Sequence, residues 1–175
     1  MSSDPNPPNT ASELRFRLIG AWQLESYMSV PVSPTSASKP TYPMTKNVQG
    51  MILYTSDGYM SAQLNIPGQK AFNIDEASES QWAEAAKRYF GYCGPYYISE
   101  EGGKVRLRHG FRIVNRPNLV KDIQIRAWRF EDEGKLLVLS SEEPEEVKVC
   151  SKGLILPFGV EKLKMSGRAN FAGRS

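Results

Sequence analysis

Lys104–Ile113 reads KVRLRHGFRI, and its two-residue period constrains the fold more than any other stretch of the chain. Val105, Leu107, Phe111 and Ile113 alternate with Arg106, Arg108 and Arg112. Successive side chains on a strand point to opposite faces, so the spacing predicts a strand with one apolar and one cationic face. Three guanidinium groups cannot all be buried without anions to pair them. Val105, Leu107, His109, Phe111 and Ile113 are therefore expected to point inward. His109, the one histidine in 175 residues, falls on that face.

The same period recurs along the chain. GAWQLESYMSV sets Trp22, Leu24 and Ser26 against Gln23, Glu25 and Tyr27. VQGMILYTSDGYMSAQLNI holds two β-rich runs around Ser56-Asp57-Gly58, a strong hairpin signal because Asp and Gly both tolerate the positive φ of tight turns. YCGPYYIS and KVRLRHGFRIVN form a second strand pair across Glu100 to Gly103. LVKDIQIRAWRFED and KLLVLSSEE form a third, turning at Glu133-Gly134, and GVEKLKMSG alternates once more. DEASESQWAEAAKRYFG reads as a helix with an acidic start, a basic end and Gly91 as its stop. A shorter helical turn is expected in ASELRFRLIG, with Ser12 as its cap. The sum is an all-β chain: an antiparallel up-and-down barrel of about eight strands with one substantial helix near residues 75–90.

A hydrophobic fraction of 40% and a charged fraction of 23% fit one globular domain. It is placed at residues 13–170, between a Pro-, Ser- and Asn-rich lead at 1–12, read as disordered, and a short tail at 171–175. The net charge of +3 is scattered, so neither a nucleic acid nor a membrane surface is an expected partner. No apolar run reaches the roughly 18 residues of a span, and no apolar leader opens the chain, so a cytoplasmic location is expected by default. Cys93 and Cys150 lie far apart and read as reduced thiols. One histidine and no cysteine cluster argue against a metal site. With no GxGxxG, GxxxxGK[ST] or GxSxG motif, no cofactor is expected either. PVSPTSASKPTYPMTKN reads as a loop at the mouth of a site, and EEPEEVK as a solvated loop.

In this order, LIGAWQLESY, GMILYTSDGYMSAQL, YFGYCGPYYI, VRLRHGF and IRAWRFEDEGKLLVLSS resemble the segments of the lipocalin-like domain family of small bacterial and fungal proteins. Trp22, Tyr54, Asp57, Gly58, Met60, Tyr92, Gly94, Tyr96, His109 and Arg126 occupy matching positions. The chain departs from the family at NRPNLVK, where an Asn-Pro-Asn-Trp stretch is usual, and in the longer region with LILPFG after Ser141. The resemblance implies a small barrel with an internal cavity. It also raises the prospect of cofactor-free isomerase or cyclase activity in secondary-metabolite pathways, as in some fungal barrels of this type.

The candidate site follows from the faces. VKDIQIRAWRF sets Asp122, Gln124, Arg126, Trp128 and Phe130 against Lys121, Ile123, Ile125, Ala127 and Arg129. Either face could be luminal, and a bulge could switch faces partway. With the polar face inside, His109, Asp122 and Arg126 become candidate catalytic residues. His109 would move a proton, Asp122 would orient it or act as a partner acid, and Arg126 or Tyr92 would stabilise an enolate or phenolate oxygen. Arg126 also has a plainer reading as half of a structural ion pair. Trp22, Tyr54, Gln63, Tyr92, Tyr96, Phe111, Gln124 and Trp128 are candidate substrate-binding residues, the aromatics being apolar walls with polar tips. Trp22 reads first as a barrel-floor plug and second as a ligand contact. The expected partner is a small hydrophobic metabolite, bound by a monomer or homodimer. Isomerisation, cyclisation or dehydration (a lyase reaction) by acid–base chemistry is one function, and non-catalytic carriage is the alternative.

Overall fold

The computed structural model describes residues 4–30, 39–141 and 160–166. The strands are β1 Gly20–Val30, β2 Gln49–Tyr54, β3 Tyr59–Asn65, β4 Tyr89–Glu101, β5 Lys104–Gly110, β6 Ile113–Val114, β7 Ile123–Glu131, β8 Leu136–Ser141 and β9 Val160–Ser166. The long strands pair antiparallel with their neighbours in sequence. β9 returns to β1 and β3 joins β4, so eight strands close into an up-and-down barrel, with β6 a short addition beside β4. Closure removes every free edge that an open sheet of this size would expose. The expected loops and tail at residues 142–159 and 171–175, including Cys150, lie outside the described residues, as do positions 31–38 of the mouth loop.

Turn chemistry sets the hairpins. Gly102 and Gly103 both take positive φ, 57° and 73°, between β4 and β5. Asp132, Glu133 and Gly134 do so between β7 and β8. The β2–β3 turn differs from the expected one. Only Gly58 has positive φ there, and the Gly58 amide donates to the Thr55 carbonyl across a four-residue loop.

Helix α1 (Ala11–Leu18) plugs one end of the barrel. Its cap is Thr10 rather than Ser12: the Thr10 hydroxyl accepts from the Glu13 amide, 3.2 Å away. Starting there puts Leu14 and Leu18 one turn apart on the inner face, both fully buried. Residues 4–10, read as a disordered lead, run beneath this floor. The Asp4 amide donates to the Phe130 carbonyl, and the Asp4 carboxylate meets Arg17 at 2.5 Å. Helix α2 (Glu79–Arg88) leads into β4, with Ser78 and Gln81 forming a capping box. It ends at Arg88, and Gly91, the expected stop, lies inside β4. Among the described residues no helix is long and apolar enough to cross a membrane.

Two bulges shift the faces from a uniform alternation. On β1 the pairing with β9 slips between Leu24 and Ser26, so the buried phase passes from Trp22 and Leu24 to Tyr27. Beyond β5, Tyr96 pairs with His109 but Cys93 pairs with Ile113, which leaves one extra residue on the second strand. Phe111 therefore stays inside while Ile113, expected inside, is 70% exposed. The arginines do face outward: Arg108 binds Glu101 at 2.8 Å, and Arg106 reaches the same carboxylate at 3.6 Å.

Gly94 permits the second bulge. A Cβ there would run into the Gly110 carbonyl oxygen and lie 2.9 Å from the Arg112 amide, both of them backbone atoms that cannot swing away. Gly94→Ala is expected to cost about 1–3 kcal/mol in urea unfolding. A loss below about 0.5 kcal/mol would contradict this crossing of backbones.

Candidate functional site

β7 settles the open register. Arg126 and Phe130 are buried and Ile123 is 55% exposed, so the face carrying Gln124, Arg126, Trp128 and Phe130 is the inner one. Pairing then brings inward residues side by side. His109 lies between Tyr96 and Gln124, and Arg126 between Leu107 and Ser141. His109 and Arg126 are thus diagonal neighbours on one luminal face.

His109 is 0% exposed, and its Nε2 lies 2.8 Å from the Tyr54 hydroxyl. Burial drives the Tyr54 phenol well above its ordinary pKa, so it keeps its proton. Burial first, and the Arg126 charge second, hold the imidazole well below its ordinary value, so it is neutral at pH 7. In the arrangement that satisfies the phenol, Tyr54 donates to Nε2 and the ring hydrogen sits on Nδ1. His109 Nδ1 is itself buried and has no hydrogen-bond partner among the described residues.

Arg126 is 7% exposed, and its Nε also lacks a partner among the described residues. One guanidinium nitrogen donates to Gln124 Oε1 at 2.7 Å, and Gln124 Nε2 donates in turn to Asp122 Oδ2 at 2.9 Å. Among the described residues no carboxylate pairs with Arg126 directly. Asp122 itself is exposed at the rim, just before β7 begins. Its carboxylate contacts Gln124 and the Ile123 amide, not the imidazole. The orienting partner of His109 is Tyr54 instead.

The aromatic wall surrounds this polar core. Tyr92 packs on Phe111 with ring centres 4.3 Å apart and lies 6.3 Å from His109, while Tyr96 meets Tyr54 edge-on at 5.2 Å. The Tyr96 hydroxyl donates to the Thr55 carbonyl and receives a hydrogen bond from Arg15 of α1. Arg15 was not foreseen; the only trace in sequence is its place beside Leu14 on a helix whose apolar residues recur at i and i+4. Trp22 belongs to the floor, donating to the Leu18 carbonyl and packing on Phe130. Trp128 is half-buried and donates to the Val105 carbonyl. Gln63 is a correction: it shares the outer face of β3 with Tyr59 and Ser61, where it bonds Ser61 and Tyr89. Met60, Ala62 and Leu64 hold the inner face, because burial of the apolar set decides which way the pleat turns. A partly open apolar cavity of about 10 Å³ is lined by Leu24, Met51, Ile52, Ala62, Leu64, Tyr92, Leu139 and Met165, and neither His109 nor Arg126 lines it.

The depressed pKa of His109 ties folding to pH. Its folded value lies below the unfolded one near 6.5, so the stability it confers is complete above about pH 6.5 and lost as pH falls toward the folded value. Urea unfolding at pH 7, 6 and 5 is expected to show this loss, with a slope of up to ~1.4 kcal/mol per pH unit. His109→Gln should flatten the slope. An equal slope in both proteins would place the titration elsewhere.

The model of the lipocalin-like domain family matches residues 19–155. Comparison with curated proteins and with solved structures found no match. The matched span takes in the barrel from the start of β1 through β8, with Tyr54, His109 and Arg126 inside it, and the chain belongs to the lipocalin-like domain family.

Proposed function

We propose that this barrel binds a small hydrophobic or aromatic metabolite in its lumen and carries out cofactor-independent acid–base chemistry on it, of the isomerase, cyclase or lyase kind. The observation that carries the reading is the buried Tyr54–His109 pair, with Nδ1 facing no protein partner. Nδ1–H can give its proton to a substrate as Nε2 takes one from the Tyr54 hydroxyl, and the reverse relay returns both protons, so the pair serves first as acid and then as base. The adjacent Arg126 charge would stabilise negative charge developing on a substrate oxygen, an effect magnified where water is excluded. Tyr54, Tyr92, Tyr96 and Phe111 would hold an aromatic substrate in one reactive shape. The setting that goes with this reading is secondary metabolism, on substrates that carry a carbonyl or hydroxyl oxygen.

One observation favours non-catalytic carriage as a second reading. His109 is fully buried, and the apolar cavity beside Tyr92 holds no more than about one water. A ligand must open the barrel to reach the imidazole, as a storage protein tolerates better than a fast enzyme.

Proton exchange separates the two without knowledge of the product. Aromatic ketones such as 2-tetralone, in deuterated buffer, would be followed by proton NMR for exchange at the α-carbon. The enzyme reading expects exchange above buffer that falls about 10²-fold or more in His109→Gln. Exchange retained within about threefold in the variant would remove His109 from the chemistry, and saturable binding with no exchange would favour the carrier.

A further inference from the structure

Among the described residues no anion balances the charge that Arg126 presents to the inside of the barrel. Its neighbours on the inner face are Leu107, Ser141, Gln124, Trp128 and His109, none of them anionic. Asp122 touches it only through the Gln124 amide. Among the described residues the two unpartnered polar atoms of this region are both donors: Nε of Arg126, and Nδ1 of His109 once Tyr54 donates to Nε2. The region is therefore donor-rich, acceptor-poor and positive. Buried donors without acceptors are costly, and a buried cation without an anion more so. The complement is a group with two acceptor oxygens and one negative charge. A dianion would leave an excess charge in an apolar lumen, whereas a monoanion balances the guanidinium.

We infer that the luminal ligand is a carboxylic acid with an apolar body, its carboxylate received by Arg126 Nε with His109 Nδ1 as the second donor. This rests on luminal binding alone, in the carrier form of the reading above, and adds the ligand class, because Nδ1 and Nε cannot hold a carboxylate and serve a reacting centre at once. Arg126 holds the acid, the Tyr92 and Phe111 rings face its apolar body, and Gln124 keeps the guanidinium turned to receive it.

Matched probes test the assignment. 2-Naphthoate and 2-naphthalenemethanol share a ring system and differ in charge. Titration calorimetry at pH 7 and low salt would measure both against the full chain and against Arg126→Gln. The expected result is at least tenfold tighter binding of the acid by the native protein and no preference in the variant. Should Arg126→Gln fail to fold, nitrogen NMR of the native arginine side chains replaces it, with the Arg126 Nε–H resonance shifting on addition of naphthoate but not of the alcohol. Equal affinity for acid and alcohol in the native protein overturns the carboxylate assignment and leaves luminal binding standing. Preference for the acid that survives in Arg126→Gln, or an unmoved Nε–H, overturns Arg126 as the receiver. Binding of neither probe at millimolar concentration counts against luminal binding itself, and the assignment falls with it.

Discussion

Arg126 carries a full positive charge on the inner face of a closed sheet, 7% exposed, with a glutamine rather than a carboxylate as its hydrogen-bonded neighbour. Desolvating such a group costs several kcal/mol, and ordinarily an adjacent anion offsets the cost. Here the compensation is indirect. Asp122 at the rim accepts from the Gln124 amide, whose oxygen then accepts from the guanidinium. The chain of dipoles runs from solvent to lumen, and the full anion stays outside. Burial first and then this charge lower the pKa of His109, and the charge acts against the burial that raises Tyr54. One cation thus biases the protonation of the neighbouring pair toward neutral imidazole.

The scaffold explains how that arrangement is held. Leu14, Leu18, Trp22 and Phe130 seal the floor, and Arg17 lies 4.0 Å over the Phe130 ring while binding Asp4. Arg15 ties the floor helix to Tyr96, whose ring abuts Tyr54. The orientation of the Tyr54 hydroxyl toward His109 is therefore set by packing from below as well as by its own strand. Gly94 does the corresponding work on the other side, letting the bulge after β5 keep Phe111 inside against Tyr92.

Much of this was legible in the residues. Period-two patterns and turn residues located the strands and hairpins, because pleating and positive φ are local properties. The inward placement of His109 followed from the arginines flanking it, which find Glu101 outside. The harder features depend on pairing between strands. A bulge adds one residue on one side of a ladder, so nothing in KVRLRHGFRI alone marks where the face will switch, and Ile113 was misplaced for that reason. The bulge in β1 likewise breaks the alternation that set Tyr27 opposite Trp22 and Leu24. Gln63 went wrong differently: its alternation was correct, but its polarity suggested a site where burial of Met60, Ala62 and Leu64 required the opposite face. Asp122 sat in the correct register, yet lies one residue beyond the strand, in reach of Gln124 rather than His109.

The central claim is that a neutral imidazole, bearing its hydrogen on Nδ1, is locked to a protonated Tyr54 beside a buried cation. With one histidine in the chain, the ring nitrogens of His109 give a single unambiguous pair of signals in nitrogen-15 NMR. The structure calls for a protonated Nδ1 and a bare Nε2 that hold their shifts from pH 8 to below 6.5. A ring whose two nitrogens titrate together near pH 6.5, as a solvated imidazole does, would contradict it.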